Sequence, residues 1–244
     1  MTAAARSLDG GGGMGEQQPS LGRHAAAIVG DFPNAMRFRA RAARDWPVPE
    51  RYARGERRPV LLVPGVYETW HYLRLVADAL SDAGHPVFTV PGLGFNHRPI
   101  PQSADIVWRR IRELDLRGLA IVAHSKGGLI GKHVLARDDV EQRVDRVVAV
   151  ATPFAGSRMA YYALPRAMRE FRPDHPVISG LVTERRVDAR IVSIAPRWDP
   201  HIPDGSTLPG ARNVTLPVIG HFRILLDERL PALVVAEVER EAAP

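Results

Sequence analysis

Residues 119–128 constrain the fold of this chain more than any other part of the sequence. They read Leu-Ala-Ile-Val-Ala-His-Ser-Lys-Gly-Gly, so five apolar residues run directly into three polar residues and then two glycines. A continuous apolar run of this length is typical of a parallel strand that is buried on both faces. Residues 127–137 have the pattern of a helix. The stretch therefore predicts a buried strand, a sharp turn at Ser125 and a helix.

Similar apolar runs recur along the chain, with helical patterns between them. We predict further strands at residues 60–63, 87–90, 144–151, 189–194 and 213–216. We predict further helices at residues 68–83, 103–116 and 222–239, the last one broken at Pro231. Strands that alternate with helices indicate βαβ units. The expected fold class is therefore α/β, with a mostly parallel sheet and helices on both of its faces.

Composition limits the chemistry that this chain can perform. With 244 residues it can form one substantial core, and because it has no cysteine it has no disulfide, no thiol nucleophile and no cysteine metal ligand. The formal net charge is +6, but the basic residues are scattered among acidic ones, so we expect no nucleic-acid partner. The arginine-rich stretch at residues 37–44, which contains Phe38, leaves two interpretations open. It could make weak contact with a membrane surface, or it could pack on the domain with its arginines in solvent.

The chain divides into three parts by composition. Residues 1–22 are polar and glycine-rich and are predicted to be a disordered tail. Residues 23–58 are predicted to be an N-terminal helical segment with a linker, and residues 59–244 an α/β domain. Residues 157–188 lie between two predicted strands, where an inserted lid would be found. No stretch is a signal peptide or a membrane-spanning segment, so the expected location is the cytoplasm.

Three reactive side chains each follow a predicted strand. In an open α/β sheet, functional groups gather beyond the carboxyl ends of the strands. Ser125, Asp199 and His221 meet that condition, and the chain order Ser, Asp, His is one that hydrolytic triads use. A serine hydroxyl needs a base within hydrogen-bond reach, and a carboxylate fixes the tautomer of that base. We therefore predict Ser125 as nucleophile, His221 as base and Asp199 as the supporting acid.

Each of these assignments has an alternative. Ser125 could cap a helix, and His221 could be a surface or capping histidine. Asp204 lies close enough in the chain to replace Asp199. A tetrahedral intermediate also needs N–H donors for its oxyanion. The predicted donors are the backbone N–H groups of Lys126 and Val66, with the Lys126 side chain pointing outward.

Several motifs together carry a family resemblance. These are Val-Pro-Gly at residues 63–65, Ala-His-Ser-Lys-Gly-Gly at residues 123–128, and Ala-Thr-Pro-Phe-Ala-Gly-Ser at residues 151–157, with the Asp199 and His221 loops. The chain resembles the α/β-hydrolase superfamily, and most of all its bacterial lipase and esterase branch. It departs from that branch at Ala123 and Ala151, where glycine is usual, and at Phe154, where histidine is usual. The resemblance covers residues 59–239.

The resemblance implies hydrolysis of carboxylic esters through an acyl-serine intermediate, with no metal and no organic cofactor. The expected substrate is a small-molecule or lipid ester. Tyr67, Trp70 and Phe154 are candidate walls of an acyl pocket, although each could be ordinary core. Two other functions stay open: a thioesterase or acyltransferase with the same triad, and a binding protein that keeps the fold without catalysis. The sequence predicts no oligomeric state.

Overall fold

The computed structural model describes residues 47–138 and 140–240, together with positions 30, 31, 33, 34, 36, 38 and 40. The predicted tail at residues 1–22 lies outside the described residues. The described strands are β1 Val60–Val63, β2 Val87–Phe88, β3 Leu119–His124, β4 Val144–Val150, β5 Ile191–Trp198 and β6 Arg212–Ile219. They form one sheet in the order β2-β1-β3-β4-β5-β6, and each neighbouring pair is parallel. The predicted α/β class is confirmed.

Helices connect the strands. They are α1 Arg74–Asp82, α2 Ile100–Glu113, α3 Lys126–Arg137, α4 Arg166–Arg169, α5 Pro176–Thr183 and α6 Arg229–Glu239. Short 3₁₀ turns lie at Glu50–Ala53, Trp70–Leu73, Pro91–Leu93, Arg158–Tyr162, Asp188–Arg190 and Arg223–Leu226. The described positions between 30 and 40 are also helical, Pro33 among them.

The sheet is covered on both faces, which explains its continuous apolar strands. In β1, Leu61 and Val63 join a core with residues of α2, α3 and α5. Val60 and Leu62 point the other way and join a second core with residues of α1 and α6. Alternate residues of a strand face opposite sides, so a strand between two helical layers must be apolar throughout. Each fully buried Val or Leu contributes about 1.5–3 kcal/mol relative to an exposed one.

The last two strands are longer than predicted, and this brings the polar loops closer to the sheet. We predicted that β5 ends at Ile194, yet β5 continues through Pro196 to Trp198. Its pairing with β4 stops at Ile194, and beyond that point β5 pairs with β6 alone. A proline is tolerated where a strand has a free edge. Asp199 therefore follows its strand directly.

The final helix begins at a different place from the predicted break. Arg223–Leu226 is a 3₁₀ turn, and α6 starts at Arg229. The interruption falls at Asp227 and Glu228, and Pro231 lies in the first turn of α6. Proline costs little there, because the first N–H groups of a helix have no intrahelical acceptor.

The predicted lid region lies between β4 and β5 and contains a 3₁₀ turn and two short helices, α4 and α5. Ser157, at its start, donates its N–H to the Phe171 carbonyl and its hydroxyl to the His201 carbonyl, both at 2.7 Å. The first hydrogen bond joins two parts of the lid region, and the second joins the lid region to the loop after β5. In the described part of the chain, no helix has the length and apolar character needed to cross a bilayer.

Candidate active site

Three side chains from three loops form a continuous hydrogen-bonded chain at the carboxyl end of the sheet. Nε2 of His221 lies 3.0 Å from Oγ of Ser125. Nδ1 of the same ring lies 2.7 Å from Oδ2 of Asp199. All three residues are buried. The structure therefore brings together the three residues that we predicted as nucleophile, base and acid.

The turn at Ser125 holds its backbone in an unusual conformation. Ser125 has φ 52° and ψ −121°, a region that costs about 1–3 kcal/mol for a residue with a side chain. Its N–H donates to the Val150 carbonyl at 2.8 Å. Its carbonyl accepts the hydroxyl of Thr152 at 2.9 Å and the N–H of Gly128 at 3.0 Å. These bonds maintain a strained turn that lifts the hydroxyl above the end of β3.

Asp199 uses both of its carboxylate oxygens. Oδ2 faces His221, while Oδ1 accepts the N–H of His201 at 2.8 Å and the N–H of Ile202 at 3.1 Å. The alternative acid, Asp204, instead accepts the N–H of Arg158 at 2.9 Å. The structure therefore places Asp199, and not Asp204, against the imidazole.

Electrostatics favours a charged acid beside the imidazole. Burial alone would raise the pKa of Asp199, but His221 and the N–H of His201 outweigh it and hold that pKa below its usual value. Burial alone would lower the pKa of His221, but the neighbouring carboxylate of Asp199 outweighs it and raises that pKa. Glu68 and Asp31 add to the same rise. Asp199 thus favours the protonated form of the His221 ring.

A second histidine lies beside the first and stays neutral. Burial lowers the pKa of His201 to about 4, and the charge of His221 contributes to the decrease. Its ring centroid is 5.1 Å from that of His221. Near neutral pH, His201 is therefore an uncharged wall of the site and does not compete for the Asp199 carboxylate.

A cavity of about 240 Å³ opens beside Ser125 and His221. Its apolar lining includes side chains from the lid region and from the loops after β1, β5 and β6: Val66, Met159, Met168, Phe171, Ile202 and Phe222. Of the three predicted wall residues, Tyr67 lines the cavity. Trp70 instead packs edge-on against Tyr52, with ring centroids 5.9 Å apart. Phe154 is buried in the core that contains residues of α2 and α3, and it does not line the cavity.

The two predicted oxyanion donors are the backbone N–H groups of Lys126 and Val66. Lys126 is the first residue of α3, so its N–H has no intrahelical acceptor. Val66 lies in the loop after β1 and lines the cavity. Binding of an oxyanion by these two N–H groups stays a prediction.

The side chain of Lys126 contradicts our expectation that it points outward. It is fully buried, and Nζ donates to the backbone carbonyls of Asn96, at 3.1 Å, and of Arg98. Burial lowers its pKa to about 8, and the charge of Glu170 partly offsets the effect. The turn before α3 buries this residue together with the nucleophile, so a long polar side chain there must find acceptors inside the protein.

Sequence reasoning missed two buried carboxylates near His221. Glu68 accepts the N–H of Gly65 at 2.7 Å and contacts the ring of His124. Asp31, from the N-terminal segment, accepts the N–H of Phe222 at 2.9 Å and that of Arg223 at 3.1 Å. Neither directly follows a predicted strand, and most of their partners are distant in sequence, so no local pattern indicates them. Among the described residues, no group of His, Asp and Glu side chains is arranged to hold a metal ion.

Comparison with known proteins extends the structural result. A family model described as the alpha/beta hydrolase fold matches residues 58–184, just over half of the chain. This range contains Ser125 but ends before Asp199 and His221. A comparison with curated proteins found no match.

Solved structures resemble this chain at low sequence identity. A monoacylglycerol lipase from Paleococcus ferrophilus is 17% identical, with a TM-score of 0.57, covering 76% of this chain and 95% of the lipase. A hydrolase from Oleispira antarctica is 14% identical, with a TM-score of 0.56 and coverages of 78% and 93%. An N-formylmaleamic acid deformylase from Pseudomonas putida is 17% identical, with a TM-score of 0.54 and coverages of 75% and 93%. Identities this low indicate a shared fold and no more.

Proposed function

The chain belongs to the α/β-hydrolase fold family, and we propose that it is a serine hydrolase that cleaves carboxylic esters through an acyl-serine intermediate. One observation carries the proposal: the unbroken hydrogen-bond chain from Ser125 through His221 to Asp199, with distances of 3.0 and 2.7 Å. Three groups from distant parts of the sequence meet in the geometry that nucleophilic catalysis requires. The likeness of the motifs to those of bacterial lipases and esterases supports the same reaction.

In the first half of the reaction, Nε2 of His221 takes the proton of Ser125 as Oγ attacks the ester carbonyl. The imidazolium that forms is stabilised by Asp199. The carbonyl oxygen becomes negative and accepts the N–H groups of Lys126 and Val66. Such a donor typically contributes about 100- to 1,000-fold to the rate. The alcohol then leaves with the proton from His221, and the acyl group stays on Ser125.

In the second half, water replaces the alcohol. His221 takes a proton from the water as its oxygen attacks the acyl-serine, and the proton then returns to Oγ of Ser125. The carboxylic acid is released and the site is restored. Every proton that moves in this scheme passes through His221.

The cavity supports an ester with an apolar acyl group. Apolar side chains line most of its wall, and its volume of about 240 Å³ is that of a small pocket next to the nucleophile. The monoacylglycerol lipase among the structural neighbours is consistent with such a substrate. The deformylase with the same fold indicates that neighbours of this kind act on other groups, so the ester is our proposal from the cavity.

A fluorophosphonate probe tests the proposal directly, because it reacts only with an activated serine. We expect the wild type to be labelled and Ser125→Ala to be unlabelled. Ser179→Ala, which changes an exposed serine in α5, is the matched control and should be labelled at the wild-type rate. Folded wild-type protein without Ser125-dependent labelling would overturn the proposal and favour a binding protein.

Substrate assays then separate ester hydrolysis from the related alternative. We expect turnover of p-nitrophenyl esters that increases from acetate to medium-length acyl chains, since longer chains fill more of the apolar wall. Activity on acyl-CoA thioesters together with inactivity on oxygen esters would instead identify a thioesterase or acyltransferase.

A further inference from the structure

Glu68 is a buried carboxylate that has no part in the reaction described above. Only 3% of its surface is exposed, and glutamate is almost never buried to this extent unless it is paired. Oε2 accepts the N–H of Gly65 at 2.7 Å, and both carboxylate oxygens lie 2.9 Å from Nδ1 of His124. Gly65 is required for this approach, because a Cβ there would lie 2.6 Å from Oε1 of Glu68.

His124, the residue before the nucleophile, continues the contact to a third loop. It is fully buried, and its Nε2 lies 3.2 Å from the backbone carbonyl oxygen of His221. Both ring nitrogens therefore face acceptors: the Glu68 carboxylate and a carbonyl. The ring of His124 therefore lies between the Glu68 carboxylate and the backbone of His221.

These bonds join three segments whose relative positions the proposed reaction depends on. Glu68 holds Gly65, whose neighbour Val66 supplies a predicted oxyanion donor. His124 ends β3 directly before Ser125. Through Nε2, His124 also holds the backbone of the residue that carries the base, His221. Resting on the proposed function, we propose that Glu68 and His124 are positioning residues, which set the base and the oxyanion loop relative to Ser125.

The test compares Glu68→Gln with the wild type in steady-state assays on a p-nitrophenyl ester. Glutamine keeps the size of the side chain but leaves one oxygen to accept from both Gly65 and His124, so these contacts are weakened. We expect kcat per site to fall about 10- to 100-fold, as displacements of about 1 Å do, while KM changes less than about twofold. Fluorophosphonate titration counts the folded active sites, so a partly folded variant still gives a rate per site.

Glu237→Gln is the matched control. Glu237 is as buried as Glu68 and pairs with Arg212, at the start of β6, and with Arg240, away from the site. We expect it to lose stability while kcat per site stays at the wild-type value. A fall of the same size in both variants would mean that Glu68 acts through stability alone, and would overturn the proposal.

A double-mutant cycle isolates the pair itself. His124→Gln alone should lower kcat per site by an amount similar to Glu68→Gln, and the double variant should be no worse than about twofold below the lower single variant. If Glu68→Gln does not fold, His124→Gln carries the test, with the buried His85→Gln as its control. Wild-type kcat per site in the testable variant overturns the positioning role, whereas absent labelling of the wild type overturns the proposed function instead.

Discussion

At the scale of single residues, Asp199 has the best-defined surroundings in the site. Its two oxygens accept from one imidazole and from two backbone N–H groups, and the folded loop satisfies all of them. Replacement by asparagine keeps the shape of the side chain, but its amide nitrogen cannot accept the proton on Nδ1 of His221. The His221 ring then favours the tautomer that carries its proton on Nε2. This tautomer cannot take the proton of Ser125.

We therefore expect Asp199→Asn to lower kcat by about 1,000- to 10,000-fold. Burial lowers the pKa of His221 and the Asp199 carboxylate more than offsets it, so removal of that charge lowers the pKa of His221. The acid limb of kcat/KM, where the neutral imidazole disappears, should move to lower pH. Initial rates between about pH 4 and 9 measure both effects. An acid limb at or above the wild-type position would contradict this account, and Asp204→Asn, which changes the acid paired with Arg158, is the control.

The buried lysine next to the nucleophile gives a second prediction, for stability. The pKa of Lys126 is about 8 in the folded protein, mainly because of burial, against 10.5 for a free side chain. Between these two values the unfolded chain binds more protons than the folded one, so folding becomes more favourable as pH rises. Below pH 8 Lys126 is protonated in both the folded and the unfolded chain, so the full free-energy cost of burying its charge remains.

We expect the stability of the wild type, relative to Lys126→Met, to rise by about 3 kcal/mol from pH 8 to pH 10.5. Urea unfolding at several pH values gives the difference, and groups that are unchanged in the variant cancel. Lys132 is the only other lysine in the chain, so few amines titrate in this window. A difference that does not vary with pH would show that the Lys126 ammonium is not desolvated.

At the scale of elements, the close approach of α3 to β1 decides which residues can form the turn. A Cβ on Gly127 would lie 2.0 Å from the carbonyl oxygen of Val63, which belongs to the backbone and cannot move aside. Gly180, in α5, is exposed, and a Cβ there would meet nothing within 4 Å beyond its own helix backbone. We therefore expect substitution by alanine to have opposite effects on stability at Gly127 and at Gly180.

We expect Gly127→Ala to destabilise the protein by about 3 kcal/mol or more and to abolish fluorophosphonate labelling, because α3 must move away from β1. Gly180→Ala should stabilise it by about 0.5–1 kcal/mol, since alanine favours an exposed helix. Thermal or urea unfolding of both variants tests the pair. Equal effects of the two substitutions would contradict the packing described for the turn.

Local sequence patterns predicted the bounds of an element well where a single physical effect determines them. The apolar run of β1 gave its bounds, because a strand between two helical layers has no polar position. The patterns failed where a contact with a segment distant in sequence determines the structure. For example, β5 continues through Pro196 because only β6 flanks it there. The side chain of Lys126 was misplaced for the same reason, since its carbonyl acceptors lie about 30 positions away in the chain. Trp70 was assigned to the pocket from its residue type, although its position in the fold directs it to Tyr52.

The same distinction applies to the site. Ser125, Asp199 and His221 were predictable, because each follows an apolar run and their order is that of a known triad. Glu68 and Asp31 were not, because their contacts join segments whose approach depends on the completed fold. Predicting them requires the register of β1 against β3 and the path of the N-terminal segment.

At the scale of the whole molecule, the N-terminal segment is part of the packed structure behind the site. Our division between residues 23–58 and residues 59–244 stays a prediction, and described residues of the first segment contact the second. Phe38 is 2% exposed and stacks on Tyr72, with ring centroids 4.8 Å apart. Tyr72 in turn lines the cavity. The packing interpretation of the basic stretch thus has direct support at Phe38.

We expect Phe38→Ala to lower the free energy of unfolding by about 3 kcal/mol, because it removes a buried ring and leaves a cavity against Tyr72. Met36→Ala, at a position that is 45% exposed, should change it by less than about 0.5 kcal/mol. Urea unfolding of both variants measures the difference. Equal stability of Phe38→Ala and the wild type would mean that the segment does not pack as described.

The edge strand β6 is also the last strand of the chain, and this order determines when the proposed site can form. The hydroxyl of Ser125 stands at the centre of the sheet and is synthesised midway, whereas His221 follows the last strand. A nascent chain on the ribosome therefore carries its nucleophile for almost a hundred residues without a base. On the proposed function, reactivity therefore requires that translation has passed β6, because the base lies beyond that strand.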